Sequence, residues 1–150
     1  MRLYLDTSVF GGYFDEEFSA STQKFFKEVF KGKHEVIFSS AVVEELLKAP
    51  EKVRKLIFQI PERNLIRVNI NKEIITLAES YIQHEVISSK FDVDALHIAF
   101  ATISKADVLL SWNFKHIVNL QKIRGFNAIN LLNGYNSLEI RTPKEIINET

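Results

Sequence analysis

Asp6, Glu45 and Asp94 stand where solvated charge is least expected, and three misplaced carboxylates suggest chemistry. Asp6 ends the apolar run Leu3-Tyr4-Leu5, Glu45 flanks the apolar arc of a short helix, and Asp94 opens a helix apolar on nearly every side. Burying an ionised carboxylate costs several kcal/mol unless a cation or hydrogen bonds compensate. Three such positions imply one shared compensator, and a divalent metal is the simplest candidate. The pattern is that of an enzyme.

Each position also has an ordinary structural use. Asp6, followed by Thr7-Ser8, fits a helix N-cap as readily as a site. Glu44 and Glu45 are separated by helix geometry. With Val42, Val43, Leu46, Leu47 and Ala49 as the apolar arc, Glu44 falls roughly 150° and Glu45 about 110° from its centre. Glu44 can also pair with Lys48 at i+4, so Glu45 is the better candidate. Asp94 heads Asp94-Ala-Leu-His-Ile-Ala-Phe-Ala, which leaves no polar face and must be buried. The helix dipole contributes at most about 2 kcal/mol there, and Asp92 can supply the cap. His97, three residues on, could share that face, although a core histidine is the commoner outcome.

Ser111 and Asn113 follow an apolar run and could reach the same cleft, Asn113 by a carbonyl oxygen of the kind hard cations accept. Asp107 precedes that run and belongs to the other end of its strand, out of reach. Val108 to Leu138 contains no Asp or Glu but holds Lys115, His116, Lys122 and Arg124. Such a segment serves a phosphate contact or merely a solvated surface equally well.

The elements that must position these groups are short and regularly punctuated. Leu3–Leu5, Val36–Phe38, Leu65–Ile70, Val108–Leu110 and Ala128–Leu132 read as strands. Helices are expected over Ser19–Phe30, Ala41–Lys48, from Pro50 to before Pro61, around Ile74–Ile82 and over Asp92–Lys105, with a last turn after Thr142-Pro143. Gly11-Gly12 reads as a break. Alternating strands and helices predict an α/β layered domain with a largely parallel sheet. Ligands in such sheets bind outside the carboxyl ends of the strands, where Asp6 and Ser111–Asn113 lie.

Hydrophobic content is 46%, charged content is 25%, and Lys+Arg and Asp+Glu both number 19, so net charge selects no partner. No cysteine is present, which rules out disulfide stapling and thiol chemistry. The charged N-terminus is not a signal peptide and no stretch spans a bilayer, so a cytoplasmic protein with no membrane partner is expected.

Leu3-Tyr4-Leu5-Asp6-Thr7-Ser8, Ser39–Glu45-Leu46, Asp94-Ala-Leu-His-Ile-Ala-Phe-Ala and Leu109–His116 together resemble the PIN domain, in order and spacing over nearly the whole chain. The length is similar to that of VapC-type toxins of toxin–antitoxin pairs. The resemblance implies a single PIN-like domain over 1–150, with a three-layer α/β/α sandwich around a mainly parallel sheet. It implies an endoribonuclease dependent on Mg²⁺ or Mn²⁺, with an RNA substrate, a homodimer and an antitoxin partner. Its acidic positions fall on Asp6, Glu45 and Asp94. Asp6 and Asp94 would hold the metal and Glu45 would bind directly or through water. The fourth acidic position is Asn113 here, a neutral ligand at most. Ser111, Lys115 and His116 would contact substrate, and the aromatic stretch from Phe10 to Phe30 could wall an antitoxin groove. A PIN-fold protein that binds RNA or a partner without cleaving is the alternative. A haloacid-dehalogenase-like phosphatase is disfavoured because Ser8 stands where its second Asp belongs.

Overall fold

The computed structural model describes residues 1–147. Five strands form the sheet: β1 (Arg2–Leu5), β2 (Glu35–Ser39), β3 (Leu65–Val68), β4 (Val108–Leu110) and β5 (Glu139–Arg141). Seven α-helices are interleaved with them: α1 (Thr7–Gly12), α2 (Ser19–Phe30), α3 (Ser40–Leu47), α4 (Glu51–Arg54), α5 (Lys72–Gln83), α6 (Asp92–Ile103) and α7 (Leu120–Leu132). Every strand pair is parallel and the order is β3-β2-β1-β4-β5. The chain is an α/β fold with helices packed around a central parallel sheet, as the alternation of elements predicts.

The strand order creates the cleft. From β1 the chain steps outward to β2 and β3, then returns to lay β4 on the other side of β1 and steps outward again to β5. Right-handed crossovers in opposite directions put their helices on opposite faces. The reversal at β1 therefore leaves a gap above its carboxyl end, the usual place for a ligand. β1 is the apolar centre: Leu3, Tyr4 and Leu5 are all fully buried, with Leu3 paired to Val36 on one side and Val108 on the other.

Four expectations are corrected. Ala128–Leu132 is not a strand but the end of α7, with Ile129 buried while Leu131 and Leu132 are exposed. Burial at Phe126, Ile129 and Asn130 follows the i, i+3, i+4 spacing of a helix. The fifth strand is Glu139–Arg141, where Ile140 alone is buried between two charged residues. Gly11-Gly12 does not break the chain but closes α1. The segment after Pro50 is α4 followed by a 3₁₀ turn at Lys55–Gln59. On α3, Val43 and Leu47 are exposed, so its buried stripe is Ala41, Val42 and Leu46.

Candidate active site

Asp6 occupies the N-cap position of α1 but makes no capping bond. Its two oxygens turn to hydroxyls instead: Ser8 Oγ donates to Oδ1 and Ser111 Oγ to Oδ2, each at 2.5 Å. Those hydroxyls are themselves fixed, since Ser8 Oγ accepts from the Trp112 N–H at 2.9 Å and Ser111 Oγ from the Asn113 N–H at 2.9 Å. The β1 and β4 carboxyl ends are thereby joined around one carboxylate, which is only 3% exposed. Burial pushes its pKa up, against the pull of His97 and the two hydroxyls. The ordinary capping role does not account for it.

Glu45 lies on α3, which Ser39 caps by accepting from the Val42 N–H at 3.2 Å. It is half-buried while Glu44 is exposed. Thr7 Oγ1 and His97 Nε2 both bond its Oε1 at 2.6 Å, and Oε2 receives no bond among the described residues. Burial acts to raise its pKa, yet the His97 and Thr7 bonds outweigh this and lower it. An ionised carboxylate can only accept, so His97 Nε2 carries the proton of that bond.

His97 is more deeply involved than its place on an apolar helix suggests. It is 1% exposed, and its Nδ1 meets the Tyr4 hydroxyl at 2.6 Å, which in turn meets Ser39 Oγ at 2.7 Å. Burial disfavours its charged form, but the bond to Glu45 and the charges of Asp6, Glu45 and Asp94 raise its pKa overall. A chain of contacts thus runs from Ser39 through Tyr4 and His97 to Glu45. Sequence reasoning gives Tyr4 no role in the site and offers Ser39, with Ser40, only as a cap for the helix that carries Glu45. The available signal was a hydroxyl in the middle of a fully buried strand, which must find a partner.

Asp94 sits in the first turn of α6, where the dipole favours an anion. The cap position is Phe91, and Asp92 is the first helical residue rather than the cap. Burial raises the Asp94 pKa, the nearby charges of Asp6 and Glu45 raise it further, and those of His97 and His116 lower it. Asn113 contributes differently from the expected oxygen ligand. Its Oδ1 accepts the His116 N–H at 3.0 Å, which orients its Nδ2 toward Asp94 Oδ2 at 3.4 Å. It is a donor to Asp94. Ser111 is fully buried and donates its hydroxyl to Asp6. Lys115 is exposed, and the His116 ring stacks on Phe91 with centroids 3.7 Å apart. Asp107 accepts the Arg2 N–H at 2.7 Å at the opposite end of the sheet.

Among the described residues, no group of three or more His, Cys, Asp and Glu side chains is arranged to hold a metal ion. The donor chemistry that remains is two mutually repelling carboxylates, Asp6 and Asp94. Neither forms an ion pair with Lys or Arg among the described residues. Mg²⁺ commonly takes only one or two protein carboxylates and completes its shell with water and phosphate. The pair fits such an ion, with Glu45 restrained by His97 behind it.

A family model described as the PIN domain matches residues 3–115, a span reaching from β1 through the loop that carries Ser111 and Asn113. No curated protein matches the chain. PIN domains are generally nucleases dependent on divalent metals. With well over half of its length matched, the chain belongs to the PIN domain family.

Proposed function

We propose that the chain is an endoribonuclease that hydrolyses RNA phosphodiester bonds with Mg²⁺ or Mn²⁺. The observation that carries this reading is that one loop, after β4, bonds both acids, Ser111 to Asp6 and Asn113 to Asp94, beside the carboxyl end of the central strand. A bound divalent ion supplies a water of lowered pKa and neutralises charge developing on the phosphate. Asp6, immobilised by Ser8 and Ser111, and Asp94, steadied by Asn113, are its holders. Glu45 stays ionised through His97 and Thr7 and offers Oε2 to orient or deprotonate a water. Lys115 supplies a cationic contact for the RNA backbone and His116 lies next to it in the chain.

The reading extends to a single-domain, cytoplasmic toxin of a type II toxin–antitoxin pair, working as a homodimer and held inactive by an antitoxin. Its support is the resemblance in motif order. Asn113, neutral where the family pattern has an acid, favours a second reading in which the protein binds RNA or a partner with little cleavage. Incubation of the purified protein with single-stranded and structured RNAs separates the two. Cleavage that needs Mg²⁺ or Mn²⁺, stops with chelator and disappears in Asp94→Ala supports the nuclease. RNA retention without cleavage at any metal concentration supports the binder.

A further inference from the structure

The loop after β4 alternates in what its side chains touch. Ser111 and Asn113 turn to the carboxylates, while Trp112 and Phe114 turn to an aromatic cluster with Phe18. Trp112 is locked in place. Its ring stacks on Phe18 at 4.4 Å and 16°, and its Nε1–H donates to the buried Thr22 hydroxyl at 3.0 Å. It also lies so close to Gly12 that a Cβ there would stand 2.7 Å from the indole. Phe114 extends this cluster outward, 6.1 Å from Phe18 and 6.3 Å from Trp112, and stays 49% exposed.

A single exposed aromatic residue is ordinary on a protein surface. This one is set apart by its attachments. Its Cα lies about 3.8 Å from that of Asn113, the residue that contacts Asp94. Lys115 and His116 follow it directly, in a stretch free of acidic residues from Val108 to Leu138. The exposed Asp15, Glu16 and Glu17 directly precede Phe18 and disfavour a phosphate on that side. An aromatic face backed by a fixed stack, with the exposed Lys115 next to it, matches a nucleobase stacked inward and a phosphate chain running outward.

Resting on the nuclease reading, we propose that Phe114, supported by Trp112 and Phe18, is a stacking platform for one unpaired nucleobase beside the scissile phosphate. Bases in a duplex present no free face to such a platform. Trp112 is the only tryptophan, so its fluorescence reports locally on occupancy. The test titrates the metal-free protein, in chelator, with a fluorescently labelled single-stranded oligoribonucleotide. The comparison ligands are the same strand annealed to its complement and an abasic strand of equal length. Anisotropy gives affinity and Trp112 emission gives location.

The single strand should change Trp112 emission and bind about ten-fold more tightly than either comparison ligand. Phe114→Ala and Phe114→Leu should both lose about that factor, and Phe114→Tyr should keep it. Leucine retains apolar area without a π face, so its failure to substitute separates stacking from simple burial. Equal affinity of wild type and Phe114→Ala, or of the single strand and the abasic strand, overturns the platform. The same result would follow if the exposed ring served a protein partner instead. Because binding is read without metal, the two readings fail separately. Metal-dependent cleavage with no effect of Phe114 leaves the nuclease and removes the platform. Stacking-dependent binding without cleavage does the reverse.

Discussion

Joint removal of His97 and Glu45 tests whether their contact is an energetic unit. His97→Ala removes a ring that is 1% exposed, and large-to-small changes at such sites cost about 2–3 kcal/mol before polar terms. The bond from Nε2 to Glu45 adds a charge-assisted contribution of about 1–2 kcal/mol. This sits below the usual range because the Glu45 side chain is 39% exposed and partly screened. The total is about 3–5 kcal/mol, and in a chain of this size each kcal/mol lowers Tm by roughly 2–4 °C. Urea unfolding of the wild type, His97→Ala, Glu45→Ala and the double variant isolates the pair, since the cavity cancels in the cycle. A coupling of about 1–2 kcal/mol is expected near pH 5–6. The pH window follows from the two shifts. Glu45, lowered from 4.5, contributes stability above that value and loses it as pH falls through its folded pKa. His97, raised from 6.5, contributes fully below that value and loses its charge-dependent part as pH rises through its folded pKa. Coupling should therefore shrink on both sides of the window, persisting weakly at high pH because the neutral ring still donates. A cycle energy within about 0.3 kcal/mol of zero at every pH, inside ordinary additivity error, would refute the reasoning.

Three further outcomes are expected. Asp94→Asn should melt at least as high as the wild type in chelator at pH 7.5, because an acid with a raised pKa loses stability as pH rises through it. It should also lose any Mn²⁺-induced rise in Tm, which differential scanning fluorimetry reads directly. Asn113→Asp replaces the donor to Asp94 with a like charge, so it should lower metal-free stability by about 1 kcal/mol and tighten Mn²⁺ binding, measured by calorimetry. Gly12→Ala drives a Cβ to within 2.7 Å of the indole, so it should cost about 1–3 kcal/mol and shift Trp112 emission.

The parallel sheet was readable because its inner strands are unbroken apolar runs, as a sheet covered on both faces requires. The fifth strand was not, because Glu139–Arg141 offers only one buried residue and an apolar stretch at the end of α7 competes with it. Helix geometry sufficed to prefer Glu45 to Glu44, and strand polarity to place Asp107 at the far end. What lay beyond sequence was the direction of short polar bonds. Nothing in the order of residues says that the Asn113 amide turns its nitrogen to Asp94, because the His116 N–H that orients it is a backbone group. The chain from Ser39 to Glu45 joins four elements and becomes visible only once they are packed.

The pairing of β1 with β4 also sets when activity can arise. One of the two bonds that fix Asp6 reaches Ser111, 105 residues downstream, and β4, the second strand beside Leu3, begins only at Val108. During synthesis Asp6 and Ser8 exist long before Ser111, which holds the second carboxylate oxygen. Such distant contacts form late, because the intervening chain must be closed first. On the nuclease reading proposed above, an enzyme made on an RNA template has no formed active site until Ser111 has been added to the chain.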